Sequence, residues 1–248
     1  MFLKTTLPFH AILFFFLLFA CGANTPQAPE DNKLERDSMP SKGDTMSGIS
    51  NEKTNGNSAG QVEPRNKNHP GFTDVAALKA GILFDIRYAT KNNFTKSKIY
   101  DCPACLLRPA VAEALVKAQK NLQKKGLGLI MYDCYRPRPY QQRLWDKKPD
   151  PNYVTPPAKG SMHSRGAAVD LGIVDKDGKL LEMGTEYDFF GPEGHYDYTK
   201  LPIQVINNRK LLRETMEAAG FRGIRTEWWH FSYKGKSYEL SDYVWKCN

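Results

Sequence analysis

Two short segments far apart in the chain, Ser161-Met-His-Ser-Arg-Gly-Ala-Ala-Val-Asp170 and Glu227-Trp-Trp-His230, constrain the fold more than any other feature. Each leads into a strand pattern and each carries side chains suited to a metal. Ala168-Val-Asp-Leu-Gly-Ile173 alternates with period two, so Ala168, Asp170 and Gly172 share one strand face and Val169, Leu171 and Ile173 the other. The apolar face reads as core, and Asp170 looks out of the opposite face between small neighbours that leave room for an ion. Trp228-Trp-His-Phe-Ser-Tyr233 is aromatic-rich and reads as a second strand. An unbroken strand would put His163 and Asp170 on opposite faces, so the turn at Ser164-Arg-Gly166 must reorient the chain. Glu227 is placed at the entrance of the second strand or at a bulge, turned toward the same point as His230.

Few other residues could build such a site. The chain has 5 histidines. His10 lies in an N-terminal apolar run, His69 at the end of a polar tract and His195 in a Gly/Pro-rich loop, which leaves His163 and His230. Taken singly, a histidine or aspartate is more often a surface or hydrogen-bonded group than a ligand. Two imidazoles, one carboxylate ligand and a spare carboxylate together make the inventory of a catalytic zinc site rather than a structural one.

Five stretches in one order carry a resemblance. They are Asp85-Ile-Arg-Tyr-Ala-Thr-Lys-Asn-Asn-Phe94, Tyr135-Arg-Pro137, Gly160-Ser-Met-His-Ser-Arg-Gly166, Met183-Gly-Thr-Glu-Tyr-Asp188 and Glu227-Trp-Trp-His230. Over most of residues 72 to 235 the chain resembles the zinc D-alanyl-D-alanine dipeptidases, including those of vancomycin resistance. The resemblance implies an α+β fold of the D,D-peptidase (hedgehog-like) type, a single zinc-peptidase domain with a mainly antiparallel sheet flanked by helices. It implies one zinc per chain held by His163, Asp170 and His230, Glu227 as general base, and Arg136 as the cation facing the reacting carbonyl. The chemistry of the residues agrees: three protein ligands leave a fourth position open, and a carboxylate that is not a ligand can move a proton. Asp133, three residues before Arg136, is suited to orient it. Without the resemblance, a solvated basic loop is the preferred reading of Tyr135-Arg-Pro-Arg-Pro139.

The resemblance also implies that Ser161, Asp188 and Tyr88 capture the free ammonium of a short peptide, which would restrict cleavage to D,D-dipeptides. The alternative for Asp188 is a helix cap or a turn before Phe189-Phe190. Rival readings of the whole are a D,D-carboxypeptidase or endopeptidase acting on peptidoglycan stem peptides, and a non-catalytic envelope-binding lipoprotein.

Lys4, the apolar run Ala11 to Ala20 and then Cys21-Gly22 have the length and flanks of a secretory signal, too short for a comfortable membrane span. Leu18-Phe-Ala-Cys21 resembles a bacterial lipobox, with Phe19 bulkier than usual at its position. Residues 1–20 are expected to be a lipoprotein signal peptide and Cys21 the lipidation site; an ordinary signal peptide or an uncleaved anchor are the alternatives. Residues 21–70, rich in Asn, Ser, Gly, Pro, Lys and Glu with almost no aromatics, cannot bury enough apolar surface to fold and read as a tether. The expected product is exported to the periplasm or cell envelope, held at the membrane through its N-terminal lipid.

Residues 71–248 suit one catalytic domain. The first 70 residues are charge-balanced, so the net +8 of the chain sits on this domain; no basic-aromatic stripe points to nucleic acid. Gly81 to Tyr88 and Leu127 to Tyr132 read as strands. A helix opens at Pro109, runs through Val111, Leu115 and Leu122 and closes near Gly126; another runs from Val205 through Met216 to Gly220. The loop from Lys147 to Gly160, with four prolines, is placed to wall the pocket. Beyond Cys21, the cysteines Cys102, Cys105, Cys134 and Cys247 suggest disulfides with three possible pairings. A redox or structural-zinc role for Cys102-Pro-Ala-Cys105 is disfavoured, because there is no second CxxC and no thioredoxin-like context.

Overall fold

In a computed structural model, the structure describes His69 and residues 71–247. The expected signal peptide, the expected lipidation site Cys21 and almost all of the expected tether lie outside the described residues.

The described residues build two sheets and three α-helices. β1 (Thr73–Asp74) pairs antiparallel with β3 (Leu106–Leu107). The main sheet has the order β2-β4-β5-β7-β6, formed by β2 (Leu83–Phe84), β4 (Gly128–Asp133), β5 (Ala168–Val174), β6 (Phe221–Gly223) and β7 (His230–Tyr233). Among the described strand pairs only β2–β4 is parallel. The architecture is α+β with a mainly antiparallel sheet.

Helix α1 (Pro109–Gln123) begins with proline at its first position, where a missing N–H costs nothing. Its buried face, Val111, Leu115, Ala118 and Leu122, packs against β4. It ends as the glycine signal required: Gly126 has a positive φ, its N–H reaches the Gln123 carbonyl and the Leu127 N–H reaches the Leu122 carbonyl. Gln119 then ties helix to sheet, accepting from the Leu129 N–H at 2.8 Å and donating to the Gly81 carbonyl at 2.9 Å. Helix α3 (Ile203–Ala218) packs against α1, β5 and β6. The apolar side chains of β5, Val169, Leu171 and Ile173, are fully buried.

Three expectations are corrected. The segment from Gly81 is a strand only at Leu83–Phe84; Arg87–Ala89 is a 3-10 turn, since Asp85 and Arg87 close a local ion pair at 2.5 Å and the Tyr88 carbonyl turns to accept from both Ile99 and Tyr100. The strand expected from Trp228 begins only at His230, because the Trp228 N–H is drawn away to the Gly194 carbonyl and its indole N–H to the Thr185 hydroxyl. Asp170 borders a cavity, but its small neighbours add no room of their own: all seven residues of β5 are buried, and a Cβ at Gly172 would lie 2.7 Å from the Tyr132 hydroxyl. The small residue there is packed under a tyrosine rather than beside free space. The alternative of a solvated basic loop at Tyr135-Arg-Pro-Arg-Pro139 is set aside, because Tyr135 and Arg136 are buried and Arg138–Lys147 forms a helix, α2.

The cysteines pair Cys102–Cys247 and Cys105–Cys134. Neither half of Cys102-Pro-Ala-Cys105 is free for redox or metal chemistry.

Candidate metal centre

The sheet register creates the site. Asp133 lies opposite Asp170, and Asp170 opposite His230, so three polar residues stand in one row across β4, β5 and β7. A bulge between Met131 and Asp133 makes this possible. Regular pairing would set Tyr132 beside Asp170; one extra residue on β4 brings Asp133 there instead.

His163 arrives from outside the sheet, in a 3-10 turn spanning His163–Arg165. Gly166 closes that turn at φ 68°, with no room for a side chain: a Cβ would lie 2.7 Å from Phe72. The Ser161 hydroxyl accepts from the His163 N–H at 3.1 Å and fixes the first turn. The reorientation demanded by the odd spacing of His163 and Asp170 is thus made by this turn.

Three donor atoms converge. His163 Nε2 is 3.2 Å from His230 Nδ1 and 3.3 Å from Asp170 Oδ1, and His230 Nδ1 is 2.9 Å from Asp170 Oδ1. Among the described residues this is the group of histidine, cysteine and acidic side chains able to hold a metal ion. Ligands at 2.0–2.1 Å around a tetrahedral ion stand about 3.3 Å apart, so the triangle has the size of one face of such a shell. The outer contacts fit a metal as well. The Cys134 carbonyl, which can only accept, lies 2.7 Å from His163 Nδ1; that nitrogen therefore carries the proton and Nε2 keeps its lone pair. Ser232 Oγ lies 3.1 Å from His230 Nε2 and can accept its proton, freeing Nδ1. Tyr187 donates to Asp170 Oδ2 at 3.0 Å, leaving Oδ1 in the triangle. Burial raises the Asp170 pKa, but the two imidazoles outweigh it and hold the carboxyl well below its usual range. Nitrogen and oxygen donors without sulfur, with one side facing a pocket, suit a zinc ion with an open position.

That pocket is a cavity of about 390 Å³. His163, Asp170 and His230 line it, together with Glu227, Arg136, Ser161, Asp188 and Tyr88, so each expected site residue within the described part reaches one space. Glu227 Oε2 stands 3.9 Å from His230 Nδ1, close to the triangle but outside it. Burial, with Asp170 adding to it, raises the Glu227 pKa against the pull of His230, His163 and Arg136. Arg136 is held firmly. Its Nε and Nη2 both donate to Asp133 Oδ2, at 3.0 and 2.6 Å, and its Nη1 to Gln141 Oε1 at 3.0 Å. The pairing is two donors on one oxygen rather than a fork on fork. Two of the five guanidinium N–H groups stay available to the pocket. Asp133 keeps its other oxygen for Tyr100 at 2.5 Å and the Cys134 N–H at 2.9 Å.

Asp188 sits in a left-handed backbone conformation, φ 59°, and accepts from the Tyr88 hydroxyl at 2.9 Å. It caps no helix. Burial and the Asp170 charge push its carboxyl pKa well above the ordinary range, with Tyr88 and Arg136 opposing. The loop before the metal turn does wall the pocket, through Tyr153, Thr155 and Lys159. The sequence reading missed Tyr187, Ser232, Gln141 and the Cys134 carbonyl. Only Ser232 carried a signal, since period two puts it on the same strand face as His230.

A nitrogen-and-oxygen donor triangle at the floor of a pocket, flanked by an independent carboxylate and a fixed guanidinium, is the arrangement of a hydrolytic metal centre. The chain belongs to the D-Ala-D-Ala dipeptidase family, whose profile matches residues 68–244. It is 38% identical to the D-alanyl-D-alanine dipeptidase of Escherichia coli K12 over 177 residues, 71% of this chain and 92% of that one. It is 31% identical to that of Enterococcus faecium over 195 residues, covering 69% and 95%. A solved vancomycin-resistance D,D-dipeptidase in complex with a D-Ala-D-Ala phosphinate analogue aligns at 24% identity over 54% of this chain and 52% of that one, with a TM-score of 0.36.

The raised Asp188 pKa has a consequence for stability. A carboxyl whose folded pKa exceeds its unfolded value binds more protons in the folded state, so stability is lost as pH rises from the ordinary carboxylate range through the raised value. Asn at this position keeps an acceptor for Tyr88 and has no charge to desolvate. In metal-free protein at pH 7, Asp188→Asn should raise Tm by about 2–4 °C, and the gain should vanish at acid pH. Thermal unfolding of both proteins at pH 4 and pH 7 measures it; an unchanged or lower Tm at pH 7 would show that Asp188 is not a strained charge.

Proposed function

We propose that this protein hydrolyses the free dipeptide D-Ala-D-Ala to two molecules of D-Ala, using one zinc ion held by His163, Asp170 and His230. The observation that carries this reading is the convergence of three unlike tools in one cavity: the donor triangle, the unligated carboxylate of Glu227 and the half-buried carboxylate of Asp188. When bound, zinc supplies Lewis acidity at the open side of the triangle and lowers the pKa of a water molecule toward neutrality.

The other steps fall to the chain's own residues. Asp188, with Tyr88 donating to it, lacks a fixed cationic partner in direct contact and so presents a charge for the substrate ammonium; Ser161 lines the same cavity. An acylated amine offers no charge to it. That anchoring sets the scissile carbonyl between the triangle and Arg136, whose remaining N–H groups face charge that develops on the carbonyl oxygen. Asp133 and Gln141 fix the guanidinium before substrate arrives, so no reorganisation is needed at the moment of reaction. Glu227 takes the proton of the attacking water and delivers it to the leaving amine. Its raised pKa brings it closer to the working pH of a group that must both accept and release a proton.

Two measurements separate these roles. Glu227→Ala should keep zinc and lose turnover by about 10²–10⁴-fold, the usual worth of a positioned proton-transfer group; loss of the metal would make Glu227 a ligand. N-acetyl-D-Ala-D-Ala should be cleaved about 10⁴-fold less efficiently than the free dipeptide, because the buried carboxylate is then left unpaired. Efficient release of D-Ala from an acylated pentapeptide stem would favour a D,D-carboxypeptidase instead.

The setting of the enzyme is part of the proposal. Two disulfides in the catalytic domain are at home in an oxidising compartment, which supports export to the periplasm or envelope. The lipobox-like Leu18-Phe-Ala-Cys21 supports attachment by acylated Cys21. Metabolic labelling with a radioactive fatty acid should mark the wild-type protein and not Cys21→Ser; equal labelling of both would reject the anchor.

A further inference from the structure

The segment that leaves β4 surrounds His163. The Cys134 carbonyl receives the His163 Nδ1 proton at 2.7 Å, and the Arg136 N–H donates to the His163 carbonyl at 3.1 Å. Both the ring and the backbone of His163 are therefore referenced to residues 134–136. Yet β4 ends at Asp133, so the Cys134 carbonyl lies beyond the strand that would otherwise orient it. Its position is set by three other restraints. The Cys134 N–H is capped by Asp133 Oδ1 at 2.9 Å, the Tyr135 N–H reaches the Leu106 carbonyl at 3.0 Å, and the Cys134 side chain is bonded to Cys105. Cys105 is itself anchored, since its carbonyl accepts from the Val75 N–H at 2.9 Å and it is fully buried.

We propose that the Cys105–Cys134 disulfide is a positioning element of the metal centre. By holding the Cys134 carbonyl against Nδ1, it fixes both the tautomer and the ring orientation that aim the His163 Nε2 lone pair at the donor triangle. Metal affinity, and not only stability, depends on that bond. The inference rests on His163 being a ligand. Partners that orient a metal-bound imidazole through its second nitrogen are typically worth about 10–100-fold in metal affinity. A backbone carbonyl cannot be deleted by substitution, but the covalent tie that places it can.

The second disulfide is an internal control. Cys102–Cys247 fastens the C-terminal tail, where the Trp245 indole N–H donates to the Cys102 carbonyl. Neither of its cysteines has a hydrogen bond to a residue of the triangle. Its sequence separation is 145 residues against 29 for Cys105–Cys134. On chain entropy, opening the longer loop costs the larger share of stability. A merely structural role for both would make zinc affinity follow Tm, with the Cys102→Ala/Cys247→Ala variant the weaker binder.

The test compares full-chain wild type, Cys105→Ala/Cys134→Ala and Cys102→Ala/Cys247→Ala well below the Tm of each. Zinc affinity is measured by competition with a chromophoric chelator, and the cobalt-substituted proteins give a ligand-field spectrum. The Cys105/Cys134 variant should bind zinc about 10–100-fold more weakly with an altered cobalt spectrum, while the other variant stays within about threefold of wild type with the wild-type spectrum. Wild-type affinity in the first variant, or losses in both that follow Tm, would overturn the proposal. Should the first variant not fold, the zinc-loaded Cys102→Ala/Cys247→Ala protein retains Cys105–Cys134 as the remaining disulfide of the domain. Reducing it with a non-chelating phosphine should speed zinc release to excess chelator about tenfold or more; an unchanged rate after confirmed reduction is the contrary result. His163→Ala separates the two failures. If it loses zinc while the cysteine variants keep it, the disulfide proposal fails and the metal assignment stands; if it keeps zinc, the assignment itself fails.

Discussion

The cross-strand row Asp133–Asp170–His230 is the constraint on which the rest of the structure depends. Two carboxylates side by side in a buried sheet are costly unless each is matched by positive charge and hydrogen bonds. Asp133 is matched by Arg136, Tyr100 and the Cys134 N–H. Asp170 is matched by Tyr187 on one oxygen and by two imidazoles on the other, a partnership that a cation completes. The row has one polar face only because β4 carries a bulge, which substitutes Asp133 for Tyr132 next to Asp170. Outside the sheet, the 3-10 turn of His163 and the Arg136 segment supply the imidazole and the guanidinium that satisfy these groups.

This gives the pocket its electrostatic character. Asp133 and Arg136 neutralise each other, so the carboxylates Asp170, Glu227 and Asp188 outnumber by one the other cations lining the cavity, Lys159 and Arg222. An acidic cavity with a rigid guanidinium on one wall selects a ligand of matching polarity: a cation for the triangle, an ammonium for Asp188, and a carbonyl oxygen between them. The pKa values of Asp188 and Glu227 are both raised by burial, as expected of carboxylates kept for binding and proton transfer rather than for stability.

The sequence disclosed the parts that follow local periodicity. The alternation in Ala168–Ile173 located β5 within one residue, and proline and glycine framed α1 at Pro109 and Gly126. The odd spacing of His163 and Asp170 required a turn, and a turn is there. What stayed hidden depends on contacts between distant segments. The bulge at Tyr132 leaves no local signature. Helix α2 was masked because Pro137 and Pro139 read as loop, although proline at a helix start is a favoured position. The β2 strand is cut short where the Tyr88 carbonyl turns to accept from the Ile99 and Tyr100 N–H groups, which only the folded chain brings within reach. Disulfide pairing among Cys102, Cys105, Cys134 and Cys247 had three formal solutions, and the choice lies in the packing of β3 against the end of β4. His163, Asp170, His230 and Glu227 were legible from residue type and pattern, while Arg136, Asp188, Ser161 and Tyr88 came from a resemblance spread over five motifs; their convergence in one cavity depends on the register.

The central claim is that the fold itself preforms a three-donor site at the end of the polar row. Crystals grown with zinc and measured across the zinc absorption edge test it directly. The account predicts one anomalous peak about 2.0–2.1 Å from His163 Nε2, His230 Nδ1 and Asp170 Oδ1, with Glu227 outside the coordination shell and the three side chains placed as in the metal-free protein. A peak elsewhere, a shell that includes Glu227, or a triangle that assembles only by moving the His163 turn would contradict it.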